Sequence, residues 1–110
     1  MSAANEVNPV DVLVSQHFNQ LTPAEAERLA LLLEELGEAQ QAIGKILRHG
    51  YESTHPDGGP TNREALEREC GDVRHAMIRL CEAGDLSKRA IHDRADAKAE
   101  QVVRYLHHAG

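Results

Sequence analysis

The sequence predicts an all-α fold, a four-helix antiparallel arrangement that forms an oligomer. Three observations predict it. Thr22-Pro23-Ala24-Glu25 and Thr61-Asn62-Arg63-Glu64 are capping boxes, and each opens a run with apolar residues every three or four positions. The runs are separated by glycine- and proline-rich punctuation. No useful stretch alternates apolar and polar residues with period 2, so strands are not expected.

Taken in order, "NPVDVLVSQHFN" offers a short first helix opening at Pro9, with Val10, Leu13, Val14 and Phe18 on one side. Thr22, Pro23 and Glu25 then supply a cap, a first-turn proline and a reciprocal acid, which start a second helix over about 22–49, stopped at Gly50. Residues 50–60, "GYESTHPDGGP", hold three glycines and two prolines and read as a loop or flexible lid. Thr61 and Glu64 start a third helix over about 61–83, ended by Gly84. Asp85 to Ser87 turn into a fourth helix over about 87–108, whose apolar face is the sparser set Ile91, Val102, Val103 and Leu106. The expectation is one all-α domain over 1–110.

A chain of 110 residues can build one core but is small for a monomer, and so self-association as a dimer or tetramer is expected. Leu31 and Ile78, lying off the main apolar stripes, point the same way. The formal net charge of -6 argues against a nucleic-acid polymer or an anionic membrane as partner, and an acidic protein that handles a polyanion needs metal ions. No apolar run approaches a membrane span, and "MSAANEVNPV" lacks the basic start and apolar centre of a signal peptide, so the expected location is cytoplasmic. Cys70 and Cys81, roughly 16 Å apart on one helix, cannot pair with each other and read as free thiols.

The acids carry the chemistry. On a helical wheel the second helix has Leu29, Leu32, Leu33, Leu36, Ile43, Ile46 and Leu47 on one stripe, with Glu35 at its border and Glu38 one turn on, just outside it. The third helix has Leu66, Val73, Met77, Leu80 and both cysteines on its arc, with Glu69 inside it and Asp72 at its edge. A carboxylate turned towards a core protonates, pairs with a base or binds a cation. An i, i+3 pair on each of two facing helices suits Mg²⁺ or Mn²⁺, which prefer hard oxygen ligands. Taken alone, an ExxE match is more often a solvated face. Two pairs, each with an internal glycine (Gly37, Gly71), shift that balance, and the glycines are expected to let the helices approach or leave room for ions and ligand. Beyond Glu38 the polar face continues through Gln41 and Lys45 to Arg48, placing bases in line with the acids. Such bases serve either as partners of the helix dipole or as holders of phosphate oxygens.

The pattern EExxE at Glu34, Glu35 and Glu38, followed after a loop by ExxD at Glu69 and Asp72, resembles the MazG-like all-α nucleoside triphosphate pyrophosphohydrolases over roughly residues 25–105. The resemblance implies a Mg²⁺-dependent enzyme that splits a nucleoside triphosphate into monophosphate and pyrophosphate, usually as a dimer or tetramer. By position, Glu35, Glu38, Glu69 and Asp72 would be the metal ligands, with Glu34 as a supporting acid or water-orienting group. Where that family carries Asn-x-Lys on a later helix, this chain has "ADAK", so that Asp96 takes the asparagine's place and Lys98 matches the lysine. Lys45, Arg48 and Lys98 would then stabilise charge on the pyrophosphate side, while metal ions activate water for in-line attack.

Other readings are weaker. The seven histidines are scattered or, at His107 and His108, adjacent and pointing apart, and the cysteines lack CxxC spacing, so zinc is not expected. A di-iron bundle needs Glu-x-x-His motifs that the chain lacks. His75 stands three residues after Asp72, near the acids or simply exposed, and Tyr51 and His55 are the loop's candidates to stack on a nucleobase. The alternative from another class is a catalytically silent helical oligomer, an interaction module that keeps an acidic metal-binding core.

Overall fold

The computed structural model describes residues 19–108. Every regular element among them is a helix: α1 spans Pro23–His49, α2 spans Asn62–Glu82 and α3 spans Lys88–Val102. The expected helix opening at Pro9 lies outside the described residues. Both capping boxes form: Thr22 accepts from the Glu25 amide while the Glu25 carboxylate accepts from the Thr22 amide, and Thr61 and Glu64 repeat the exchange. Helix α2 ends in a Schellman turn. Gly84, at φ +84°, takes the left-handed position, its N–H donating to the Cys81 carbonyl while Asp85 N–H donates to that of Leu80.

Helices α1 and α2 run antiparallel and share the chain's one broad helix contact among the described residues. The turn after α2 is tied to the start of α1 by a two-bonded pair, Arg28 to Asp85 at 2.6 and 3.0 Å. At the other end the Asn62 side chain donates to the Gly50 carbonyl at 3.0 Å. The 51–60 segment, expected as a loop or lid, is held at its base. Asn62 N–H donates to Ser53 O, Arg63 N–H to Tyr51 O, and the Arg63 guanidinium both pairs with Glu52 at 2.6 Å and lies 4.4 Å over the Tyr51 ring.

The apolar stripe expected on α1 divides in two. Leu32 and Ile46, with Leu31 and the buried Ala42, turn towards α2, whereas Leu29, Leu33, Leu36, Ile43 and Leu47 are exposed. Among the described residues the core consists of Ala42, Ala76 and Leu80, with Leu80 alone a large side chain fully out of water. One helix pair provides a single seam, and among the described residues those about 100° around α1 have nothing to pack on. Helix α3 lacks broad contact with α1 or α2 and ends at Val102, short of the expected 108. Beyond it Val103, Tyr105 and Leu106 are exposed, so no packing supports further turns.

Candidate functional site

Across the α1·α2 seam, side chains at Leu32, Glu35, Ala42 and Ile46 face those at Leu66, Glu69, Val73, Ala76 and Leu80, all buried or half-buried. A carboxylate therefore stands in the contact row of each helix, and its i+3 partner stands beside it. Glu35, Glu38, Glu69 and Asp72 each offer a carboxylate oxygen such that all four atoms lie within 4.8 Å of one another. These are the four acids that the sequence singled out as ligands.

Such crowding has electrostatic consequences. Loss of water, then repulsion from Glu38, Asp72, Glu69 and Glu34, pushes the Glu35 carboxyl above the ordinary glutamate range. Glu38 is also pushed up, first by a carboxyl–carboxyl hydrogen bond to Glu69 and then by loss of water and the charges of Glu69 and Asp72. Oε2 of Glu35 and Oε2 of Glu69 are buried without any hydrogen-bond partner, unlike the other buried side-chain polar atoms among the described residues. A buried carboxylate oxygen with no donor is costly, and a cation among the four acids would satisfy it. Hard oxygen donors of this number fit Mg²⁺ or Mn²⁺.

Beside the acids lies a cavity of about 350 Å³ whose walls include Glu38, Gln41, Lys45, Asn62 and Glu69. It shares Lys45, Asn62 and Ala65 with a second cavity of about 550 Å³ under the 51–60 loop, lined also by Arg48, His49, Ser53, Thr54 and His55. Acids, amides and bases thus follow one another along a continuous groove. Lys45 and Arg48 both line it.

Not every expected residue joins. Glu34 borders a separate groove with Glu27, Arg28, His75 and Arg79, so His75 sits with Glu34 and not among the four ligating acids. Asp96 is exposed, stands 3.6 Å from His92 on α3 and is not one of the converging carboxylates, while Lys98 lines neither cavity of the groove. The Tyr51 ring is covered on one face by Arg63, and of the two loop candidates His55 is the one that lines the cavity. The expected role of the glycines is corrected: a Cβ added at Gly37 or Gly71 meets nothing within 4 Å, because both positions point away from the carboxylates into open space. Asn62 went unrecognised in the sequence. Its signal was an amide in the first position after a capping threonine, opposite the end of α1, where it reaches the Gly50 carbonyl and lines both cavities.

No helix among the described residues is long and apolar enough to cross a membrane. No protein-family model, curated protein or solved structure matches the chain.

Proposed function

We propose that the protein is a Mg²⁺-dependent nucleotide pyrophosphohydrolase, similar in its chemistry to the MazG-like enzymes that its paired acid motifs resemble. One observation carries the reading: four carboxylates on two facing helices within 4.8 Å, two of them with orphaned buried oxygens. Glu35, Glu38, Glu69 and Asp72 would hold Mg²⁺ or Mn²⁺. When bound, the cation supplies Lewis acidity, which neutralises phosphate charge and makes a hydrolytic water more acidic. Lys45 and Arg48 give the phosphate chain charge-assisted donors along the groove, and Gln41 and Asn62 give it neutral ones. The loop cavity, within the size range of small-molecule sites, takes the remainder of the nucleotide. No protein nucleophile is needed. The net charge of -6 turns a nucleic-acid polymer away, so the substrate is a free nucleotide. The unpaired thiols of Cys70 and Cys81 favour a reducing, cytoplasmic setting, and the exposed leucines favour a homo-oligomer, a dimer or a dimer of dimers.

Incubating the full chain with canonical and modified nucleoside triphosphates plus Mg²⁺, and measuring pyrophosphate beside orthophosphate, tests this. Pyrophosphate and monophosphate in equal amounts are expected. Orthophosphate alone, or no product across the panel, would overturn the proposal and leave the silent helical oligomer in its place.

A further inference from the structure

Asn62 is tied down where the two cavities of the groove meet. Its backbone N–H donates to Ser53 O at 2.9 Å, and its side-chain nitrogen donates to the Gly50 carbonyl at 3.0 Å and, more loosely, to the Lys45 carbonyl at 3.5 Å. The residue is half-buried, as is Ala65 one turn further along α2.

Those bonds decide which way the amide faces. The carbonyl oxygens of Gly50 and Lys45 stand at one end of it, so the nitrogen must occupy that end; an amide oxygen there would meet two acceptors and no donor. The bond to Gly50 takes one amide hydrogen. The other, at 3.5 Å from the Lys45 carbonyl, is the one that a phosphate oxygen can take over. Oδ1 remains, and an amide oxygen can only accept.

Its place says what donates to it. Asn62, Lys45 and Ala65 line both the cavity of about 350 Å³ beside the acids and the cavity of about 550 Å³ under the loop. With the phosphates at the first and the base in the second, the stretch at Asn62 holds the part that joins them, the sugar. Ionised phosphates offer oxygens and no hydrogens. A sugar hydroxyl is a donor that every ribonucleotide carries, whatever its base.

We propose that Asn62 is a specificity-determining residue that reads the sugar: its Oδ1 accepts a hydrogen bond from a ribose hydroxyl, so that ribonucleotides are preferred over dideoxynucleotides. The inference rests on the nucleotide reading of the groove and names the part of the substrate that this residue selects. The 2′ and 3′ hydroxyls are neighbours with the same chemistry, and the choice of substrates separates them. A site that hydrogen-bonds a substrate hydroxyl discriminates against the analogue without it. This groove is open to water, which replaces a missing hydroxyl in part, so the discrimination should be roughly three- to tenfold.

The test measures kcat/KM for pyrophosphate release by the full chain with Mg²⁺ on ATP, 2′-deoxy-ATP, 3′-deoxy-ATP and 2′,3′-dideoxy-ATP. In the wild type, ATP should exceed dideoxy-ATP by roughly three- to tenfold, and the single deoxy substrate that shows the loss identifies the hydroxyl. Asn62→Ala completes a cycle. It also removes the tie to Gly50 and an amide N–H, which lowers all four substrates together, and the ratio of ATP to dideoxy-ATP cancels that shared loss. The ratio should fall to about one in Asn62→Ala. A wild-type ratio near one, read without any variant, would overturn the proposal, and so would a ratio that Asn62→Ala leaves unchanged. If no triphosphate yields pyrophosphate, calorimetric binding of AMP against 2′,3′-dideoxy-AMP gives the same comparison. A preference for AMP that vanishes in Asn62→Ala would then support the sugar contact and refute the chemistry, whereas equal binding, or none, would overturn the contact.

Discussion

Leu80→Ala should be the most damaging single truncation of an apolar side chain among the described residues. Leu80 is 0% exposed, sits in the row of α2 that meets α1, and its carbonyl accepts from both Asp85 N–H at 2.9 Å and Leu86 N–H at 3.3 Å. Truncation removes three buried carbons and opens a cavity where α1, α2 and the Gly84 turn meet, which costs about 3 kcal/mol. Against the 5–15 kcal/mol that holds a small domain together, that is a large share. Urea unfolding at fixed protein concentration should show the midpoint falling with an unchanged slope. Leu47, 82% exposed in the chain, is the comparison. Leu47→Ala should cost about 0.5 kcal/mol or less. A loss below about 1 kcal/mol at Leu80 would refute the view that stability is concentrated in the α1·α2 seam.

Two further expectations follow from the acids and the glycines. Glu35 and Glu38 hold their protons to higher pH in the folded chain than in the unfolded one, so metal-free stability should be greatest below the ordinary glutamate value of 4.5. It should then be lost as pH rises through their raised folded values. Melting in EDTA across that window should show the fall and excess Mg²⁺ should flatten it; a metal-free melting temperature that climbs there contradicts the crowding. Gly71→Ala should stabilise the chain by about 0.5–1 kcal/mol, since helix propensity improves and the new methyl meets open space. A loss of stability would mean that this position is packed in solution.

Much of the site was legible because it obeys local rules. Capping boxes fixed where α1 and α2 begin, and those start points set the helical phase, which put Glu69 inside an apolar arc and Glu35 at the border of one. Which apolar residues face α2 was not legible. Leu29 and Leu32 are equally apolar and about 60° apart when projected around the helix, and only the position of α2 shows that one stripe is two. The glycines misled for a related reason: their nearness to the acids along the chain places them on the opposite side of each helix. The end of α3 was overrun because Val103 and Leu106 suggest a continued apolar face, yet both are exposed, with no surface among the described residues to cover. Asp96 and Lys98 were placed by resemblance, and nothing local in the sequence ties α3 to the carboxylates.

The central claim is that Glu35, Glu38, Glu69 and Asp72 form one divalent-cation site, and titration calorimetry of the metal-free chain with Mn²⁺ tests it most directly. Saturable binding is expected in the wild type and near-complete loss in Glu69→Gln, with the helical circular dichroism of the two proteins alike. No saturable binding in the wild type, or undiminished binding in Glu69→Gln, would contradict it.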